Sequence, residues 1–449
     1  MGKLFGTDGI RGIANKDLDI DLTLRVGQAA AIVLSKGKSE RPVITIGKDT
    51  RLSGDMLESA LVAGLCSAGA DVMVLGIVPT PAVAFITKQA GADAGIVISA
   101  SHNPYCDNGI KIFNGNGFKL SDDLENEIEE LVLSGEKLEH MTHEKIGKVL
   151  RKNKGYVEKY IAHIEQAAQG KIRGLKVLID CANGAASRTA ADLFTRFDID
   201  LEVMKEFPTG VNINDGCGST HLEFLQGAIQ SGNYDVGIAF DGDADRCLII
   251  DENGKIIDGD RIMAVFATAM KREGTLKKNT VVATVMSNLG FHIYAKNEEL
   301  NIICTSVGDR NVLEKMLEHG YNFGGEQSGH IIFLDEATTG DGQLAAVKFL
   351  KIMSQTGKKA SELVTNIPYC PQVLINIPVS GGNAAKDAIM ASGELSKAIQ
   401  VEEEKLGDEG RVLVRPSGTE ALIRVMVEAF DSNLANSSAE ILTKIIKMI

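Results

Sequence analysis

None of the seven cysteines stands in a CxxC pair, and their number is odd. A disulfide framework and a zinc ribbon are thereby disfavoured, and a reducing compartment is expected. Nowhere do about 18 apolar residues run together, so no helical membrane span and no membrane partner are expected. The first residues, Met1-Gly2-Lys3-Leu4-Phe5-Gly6, lack the apolar stretch of a secretory signal, which points to the cytoplasm. Positive charge is in deficit: 47 Lys and Arg stand against 60 Asp and Glu, for a net charge of -13. Such a chain repels polyphosphate backbones, so nucleic acid is not a general partner; a small phosphorylated ligand in a local basic pocket remains open.

The 449 residues exceed one ordinary core, and 44% hydrophobic content is that of a globular protein of several domains. Short β-branched runs alternate with helical patterns. Val43–Gly47, Asp71–Leu75 and Ala94–Ser99 read as buried strands, with an amphipathic helix over Asp55–Ala68. The layout restarts at Leu175–Asp180, continues to Asp235–Phe240, and restarts again at Val281–Val285, running to Tyr321–Gly324. After Ile367-Pro368 the pattern changes to alternating segments at Gln372–Ile377, Arg411–Val414 and Leu422–Val427, with helices near Gly393–Glu404 and Ser437–Lys447. The expected fold is three consecutive α/β domains with mixed sheets plus a smaller C-terminal α+β domain, over residues 1-152, 153-255, 256-369 and 370-449.

Each α/β unit carries a polar cluster directly after a strand, where open α/β sheets bind ligands. The first is Ser99-Ala100-Ser101-His102-Asn103-Pro104, a turn that would hold one hydroxyl outward. Serine transfers a group only when activated or already carrying it. The second is Asp241-Gly242-Asp243-Ala244-Asp245-Arg246. Three alternate carboxylates repel one another unless a hard cation, magnesium or calcium, lies among them. An EF-hand is rejected: Arg246 stands where its loop needs Gly, and the flanks read as strands. Arg246 could grip a phosphate oxygen.

The third cluster, Gly324-Gly325-Glu326-Gln327-Ser328-Gly329-His330, offers donors and acceptors suited to sugar hydroxyls. The fourth, Arg415-Pro416-Ser417-Gly418-Thr419-Glu420, lies between two strands of the last unit and reads as an anion nest. Arg11 stands in a glycine-rich turn, and Lys111, seven residues after Pro104, is a further cation that could reach a phosphate. Asp49-Thr50-Arg51-Leu52-Ser53-Gly54 is a candidate support for the serine loop.

Taken in order from Gly6 to Glu420, these motifs resemble the α-D-phosphohexomutase family. Lys3–Gly12, Gln327 and Ala337-Thr338-Thr339-Gly340-Asp341-Gly342 resemble its bacterial branch acting on glucosamine phosphates. The resemblance implies four domains around a central cleft and an intramolecular phosphotransferase. Ser101 would be a phosphoserine, and Asp241, Asp243 and Asp245, with the Ser101 phosphate, would bind Mg2+. Glu326, Ser328 and His330 would meet the sugar. Arg415, Ser417, Gly418 and Thr419 would grip the phosphate that is not reacting. Arg11, Lys111, Arg246 and His330 would line the reacting end, with His102 and Asn103 in support; Lys111 and His330 are both candidates for the base.

The implied chemistry interconverts glucosamine 6-phosphate and glucosamine 1-phosphate through glucosamine 1,6-bisphosphate, serving cell-wall precursor synthesis. A homodimer, and a kinase or autophosphorylation to load Ser101, are also implied. One departure concerns the loop Val307-Gly308-Asp309-Arg310, where relatives acting on glucose and mannose phosphates carry His after Gly. Asp309 in that place would suit a substrate bearing an ammonium group. Phosphoglucomutase or phosphomannomutase activity, a magnesium-dependent sugar phosphatase and a silent sugar-phosphate sensor are the rival expectations.

Overall fold

A computed structural model describes residues 4–6, 8–36, 40–150, 154–168, 172–417 and 421–449. Four sheets follow one another along the chain. The first has six strands in the spatial order Ile10–Ile13, Asp107–Asn114, Ala94–Ile98, Val43–Lys48, Asp71–Ile77, Val149–Leu150. Its Ala94–Ile98, Val43–Lys48, Asp71–Ile77 and Val149–Leu150 strands are parallel, and the remaining two pair antiparallel at one edge. Ala94–Ile98 is buried at every position, as expected of a strand covered on both faces. Ile44, Ile46, Ile96, Ile98, Leu57, Leu61 and Val26 meet in its core, each burial stabilising by roughly 1.5–3 kcal/mol.

The second sheet has five strands in the order Ile256–Ile257, Cys247–Asp251, Val236–Phe240, Arg173–Asp180, Asp198–Met204. The third places Asn301–Thr305, Thr280–Thr284, Phe323–Gly325 and Ile331–Phe333 side by side. Both are mixed: parallel crossovers end in an antiparallel hairpin, Val236–Phe240 with Cys247–Asp251 in the second sheet, where Ile256–Ile257 adds a further antiparallel strand, and Phe323–Gly325 with Ile331–Phe333 in the third. The metal-candidate loop and the Glu326 loop are the turns of these two hairpins, which rules out the helix flanks of an EF-hand.

The last sheet is antiparallel throughout, with Leu422–Ala429 between Gln372–Pro378 and Gly410–Pro416. A helix not expected from the sequence, Gly382–Met390, precedes the two expected ones, which span Gly393–Leu406 and Ser432–Met448. The second begins five residues before the periodicity at Ser437, because the Asp431 side chain accepts from the Asn433 and Leu434 amides and caps it there. This sheet belongs to a compact unit formed by residues 286–300 and 366–449, and the three preceding sheets lie in another formed by residues 1–285 and 301–365. Among the described residues no helix is long and apolar enough to cross a membrane.

Helix Gly342–Thr356 is capped by Asp341, whose Oδ1 accepts from the Leu344 amide at 3.0 Å while Oδ2 accepts from the Tyr160 hydroxyl at 3.0 Å. Burial pushes the Asp341 carboxyl up to about 6, from a usual 3.8. The folded chain therefore keeps this proton where the unfolded chain has lost it, and the contribution to stability falls as pH rises from about 4 to 6. Asp341→Asn keeps a capping oxygen and has no charge to bury. Its melting temperature is expected to drop less than that of the parent between pH 4.5 and pH 7, measured by thermal denaturation at both.

Candidate active site

Ser101 follows strand Ala94–Ile98 in a conformation that non-glycine residues seldom adopt, with φ of 51°. Such a backbone persists only when its surroundings hold it. Arg51 does much of that holding. Its guanidinium donates to the carbonyls of Ser101 at 2.9 Å, Asn103 at 2.8 Å and Asp107 at 3.0 Å, and also to that of Pro104. Arg51 is itself fixed by the buried Asp49 carboxylate at 2.8 Å, which also accepts from Ser99 Oγ at 2.6 Å. Ser99 Oγ in turn accepts the Ser101 amide at 2.9 Å. Asn214 adds donors to the Ser101 carbonyl at 2.9 Å and that of Asn103 at 3.0 Å. The Asp49–Gly54 segment thus holds the serine loop, as its position in the sequence suggests.

The metal-candidate loop follows Val236–Phe240 and meets the serine. Ser101 Oγ donates to Asp241 Oδ2 at 2.7 Å and lies 3.3 Å from His102 Nδ1. The close approach needs a glycine: a Cβ on Gly242 would stand 2.6 Å from the Ser101 carbonyl oxygen. Oxygens of Asp241, Asp243 and Asp245, all buried, lie within 4.8 Å of one another. Burial first, then Asp245 and Asp243, hold the Asp241 carboxyl well above the usual range. Asp243 Oδ1 and Asp245 Oδ1 are buried with no hydrogen-bond partner. Three hard oxygen donors, two with unspent lone pairs, fit a hard divalent cation.

Cation binding to this folded loop should stabilise the protein by mass action, by about 2.7 kcal/mol at a hundred times the dissociation constant. Magnesium is expected to raise the melting temperature, chelator to reverse the rise, and Asp243→Asn to abolish most of it. An equal shift in that variant would remove the triad as the binding site.

Around the triad stand the cations singled out from the sequence. Lys111 is buried on strand Asp107–Asn114, 3.2 Å from Asp243, 3.1 Å from Asp8 and 3.7 Å from Asp245. Burial disfavours its charge, but those three carboxylates outweigh burial and hold it protonated. Arg11, on strand Ile10–Ile13, pairs with Asp8. The Nε atoms of Arg11 and Arg246 are buried without hydrogen-bond partners, which suits an incoming anion. Burial, Arg246 and Arg11 push His102 down to about 4, so it is neutral at physiological pH.

His330 lies 3.5 Å from Asp245 through Nδ1 and 3.7 Å from Asp309 through Nε2. Burial lowers its pKa, but Asp245 and Asp309 prevail and raise it to about 9. The Gly340 amide nevertheless donates to Nε2 at 3.0 Å, which needs a lone pair there. The direct bond carries more weight than the balance of charges, and it assigns the neutral tautomer with its proton toward Asp245. Gly340 is required beside this ring, since a Cβ would stand 2.6 Å from it.

Glu326 Oε1 accepts from the Gly308 amide at 3.1 Å, tying the two sugar-candidate loops together. Ser328 Oγ is buried and has no partner. Asn103 donates to Asp107 at 2.9 Å and shapes the serine turn. One cluster in the first compact unit therefore gathers Ser101, His102, Asn103, Asp241, Asp243, Asp245, Arg246, Lys111, Arg11, His330, Glu326 and Asp309.

Arg415 and Ser417 belong to the second unit, and Gly418 and Thr419 lie outside the described residues. Arg415 is paired in register with Arg424 on the neighbouring strand. Burial and Arg424 both lower its pKa, a setting in which an anion between like charges is favourable.

Sequence reasoning passed over several residues that stand beside the candidate ones, each within its own unit. Thr80 donates to Asp243 Oδ2 at 2.7 Å from the start of helix Thr80–Gln89. Asn214 grips the serine loop, Arg424 opposes Arg415, and Asp8 and Lys119 are paired at 2.7 Å. Asp8 sits inside a motif already noted and was within reach of the sequence; the others carry no local signal.

The chain matches four family descriptions in succession. "Phosphoglucomutase/phosphomannomutase, alpha/beta/alpha domain I" matches residues 2–139, domain II residues 155–254, domain III residues 258–369, and the C-terminal domain residues 374–445. It is 51% identical to a phosphoglucosamine mutase of Acetivibrio thermocellus, over 100% of this chain and 99% of that protein. With a phosphoglucosamine mutase of Clostridium botulinum strain Kyoto it shares 49%, over the same fractions. Among solved structures, a phosphoglucomutase/phosphomannomutase family protein from Burkholderia thailandensis superposes with a TM-score of 0.80 at 23% identity, covering 98% of this chain and 97% of that one. Aspergillus fumigatus N-acetylphosphoglucosamine mutase, in complex with GlcNAc-6P and magnesium, gives a TM-score of 0.71 at 19% identity, covering 99% and 95%. Four consecutive domain matches and half-identical relatives along the whole length establish that this chain belongs to the phosphoglucomutase/phosphomannomutase family.

Proposed function

We propose that this protein is a phosphoglucosamine mutase of the cytoplasm, interconverting glucosamine 6-phosphate and glucosamine 1-phosphate with Ser101 as the phosphoryl carrier. The observation that carries the site assignment is the buried Ser101 hydroxyl, 2.7 Å from Asp241 within the acidic triad. What supports the amino-sugar substrate is the identity of about half to relatives named for it.

Asp241, Asp243 and Asp245, with an oxygen of phosphorylated Ser101, would hold magnesium, which supplies neutralisation of charge on the phosphoryl group. The chain's own residues do the rest. The C1 hydroxyl oxygen of glucosamine 6-phosphate attacks the phosphorus on Ser101. A P–O bond forms, the bond from phosphorus to Ser101 Oγ breaks, and the proton given up by the sugar hydroxyl is matched by one taken up at Ser101 Oγ. Glucosamine 1,6-bisphosphate results and turns around. Ser101 Oγ then attacks the phosphorus at C6, loses its proton, and leaves O6 to be protonated.

Lys111, Arg11 and Arg246 balance the negative charge, the main task in a loose phosphoryl-transfer transition state. Lys111 enters this reaction protonated and His330 has its Nε2 lone pair engaged by Gly340. Both therefore act first as donors or electrostatic partners, and each takes up the base role only after releasing a proton or a hydrogen bond. Glu326 and Ser328 receive sugar hydroxyls. Arg415, Ser417, Gly418 and Thr419 hold the phosphate that is not reacting, which must be accepted in both orientations and is therefore positioned, not transferred.

The test is a coupled assay of magnesium-loaded protein on glucosamine 6-phosphate and glucose 6-phosphate, each primed with its own 1,6-bisphosphate. A higher kcat/KM for the amino sugar is expected. Preference for glucose phosphate would move the protein to another specificity of its family, and release of free phosphate without isomerisation would make it a phosphatase.

A further inference from the structure

The loop that carries Asp309 is tied to the serine-bearing domain at several points. Lys119 Nζ lies 2.7 Å from Asp309 Oδ2 and 2.9 Å from Oδ1, so one ammonium group occupies both carboxylate oxygens. The same ammonium lies 2.7 Å from Asp8, which pairs in turn with Lys111 and Arg11. Next in the chain, Arg310 donates to the Leu120 carbonyl at 3.0 Å and meets Glu125 at 2.9 Å. Beside the ion pairs, Phe118 packs against the Val282, Val312, Leu313, Met316 and Ile332 cluster of the third sheet, and Thr338 donates to the Gly117 carbonyl at 2.6 Å. The Lys119–Asp309 pair is largely shielded from solvent, with side chains 11% and 19% exposed. Burial raises the Asp309 carboxyl, but the charge and hydrogen bond of the Lys119 ammonium more than offset it, and the group stays charged.

A carboxylate already held by an internal ammonium is poorly placed to bind a second one. We infer that Lys119 is a positioning residue, and that the Lys119–Asp309 pair latches the Val307–Arg310 loop to the serine-bearing domain instead of reading the substrate's amino group. The inference rests on the mutase reading above for its assay, not for its geometry. The latch sets the distance between the sugar-holding Glu326, which accepts from Gly308, and the charge cluster at Asp8 and Lys111. A loosened loop misplaces the sugar relative to the phosphoserine, and misplacement of about 1 Å is worth up to about a hundredfold in rate.

The experiment is a double-mutant cycle with Lys119→Met, Asp309→Asn and the pair together, alongside Lys119→Arg, whose longer fork can still bridge Asp8 and Asp309. Each is assayed on glucosamine 6-phosphate and on glucose 6-phosphate, with melting temperature and magnesium affinity recorded. For a latch, each single change lowers kcat/KM roughly tenfold or more on both sugars, largely through KM. The double variant is then little worse than either single, magnesium affinity is unchanged, and Lys119→Arg recovers most of the loss. A loss confined to glucosamine 6-phosphate in Asp309→Asn would overturn the inference and make Asp309 a reader of the amino group. Fully multiplicative losses, or no loss in Lys119→Met, would also overturn it. Wild-type protein that preferred glucose 6-phosphate would refute the amino-sugar reading while leaving the cycle interpretable on that substrate.

Discussion

Ser101→Ala is expected to lose turnover of sugar phosphate by roughly a million-fold, the scale seen when a nucleophile is deleted from a working catalytic group. The reasoning is geometric. Ser101 Oγ donates into the acidic triad at 2.7 Å from Asp241, on the loop where a phosphoryl group would be carried, whereas the Thr80 hydroxyl that donates to Asp243 sits at the start of a helix. Alanine keeps the backbone anchors, because Arg51 and Asn214 bind the Ser101 carbonyl and not its side chain. The variant should therefore fold, keep the three carboxylate donors for magnesium without the one that phosphorylated Ser101 would add, and still bind sugar phosphate, while failing to retain a phosphoryl group from the 1,6-bisphosphate. Intact mass after incubation with bisphosphate, read beside kcat, checks this. Turnover within tenfold of the parent would remove Ser101 from the chemistry.

The second large effect is expected from Arg51→Ala, and it falls on both stability and rate. Removing one partner of a buried ion pair costs about 3–5 kcal/mol, because the remaining charge is left without compensation. Here Asp49 is that remaining charge, with both side chains of the pair at 0% exposure. Four carbonyls of the serine loop lose their donor at the same time. Nothing comparable would then hold Ser101 at φ of 51°, and the loop would relax toward an ordinary turn that aims the hydroxyl elsewhere. Arg51→Lys separates the two consequences. It keeps a charge beside Asp49 but not the planar fork, so it should lose rate by more than it loses melting temperature. Calorimetry and kcat on both variants give the comparison. Parent-like rates in Arg51→Lys would show that the charge alone matters and that the fork positions nothing.

Much of this site can be read from the chain because the chemistry is local. Asp241, Asp243 and Asp245 alternate along one hairpin turn, so their convergence follows from backbone geometry over five residues. Ser101 follows a strand buried at every position, and its turn residues are written beside it. Lys111 illustrates the opposite case. A strand position is predictable, yet whether a lysine there is solvated or buried depends on what its edge faces, and it proves to face Asp8, Asp243 and Asp245. Asp309 shows the same limit more sharply. Its sequence position suggests a partner for a substrate ammonium, and the fold supplies an internal one from Lys119, 190 residues away.

By itself, then, the sequence determined the order of the four sheets, the strand-end position of the polar loops in the three α/β units and the hard-oxygen character of the metal candidate, because periodicity and alternate spacing act over a few residues. Only the tertiary structure decided which charges are compensated and which are left for a ligand. Thr80 reaches Asp243 across 163 residues, and Asn214 reaches Ser101 across 113. A buried charge must find its counter-charge in space, and no local pattern records where along the chain that partner lies.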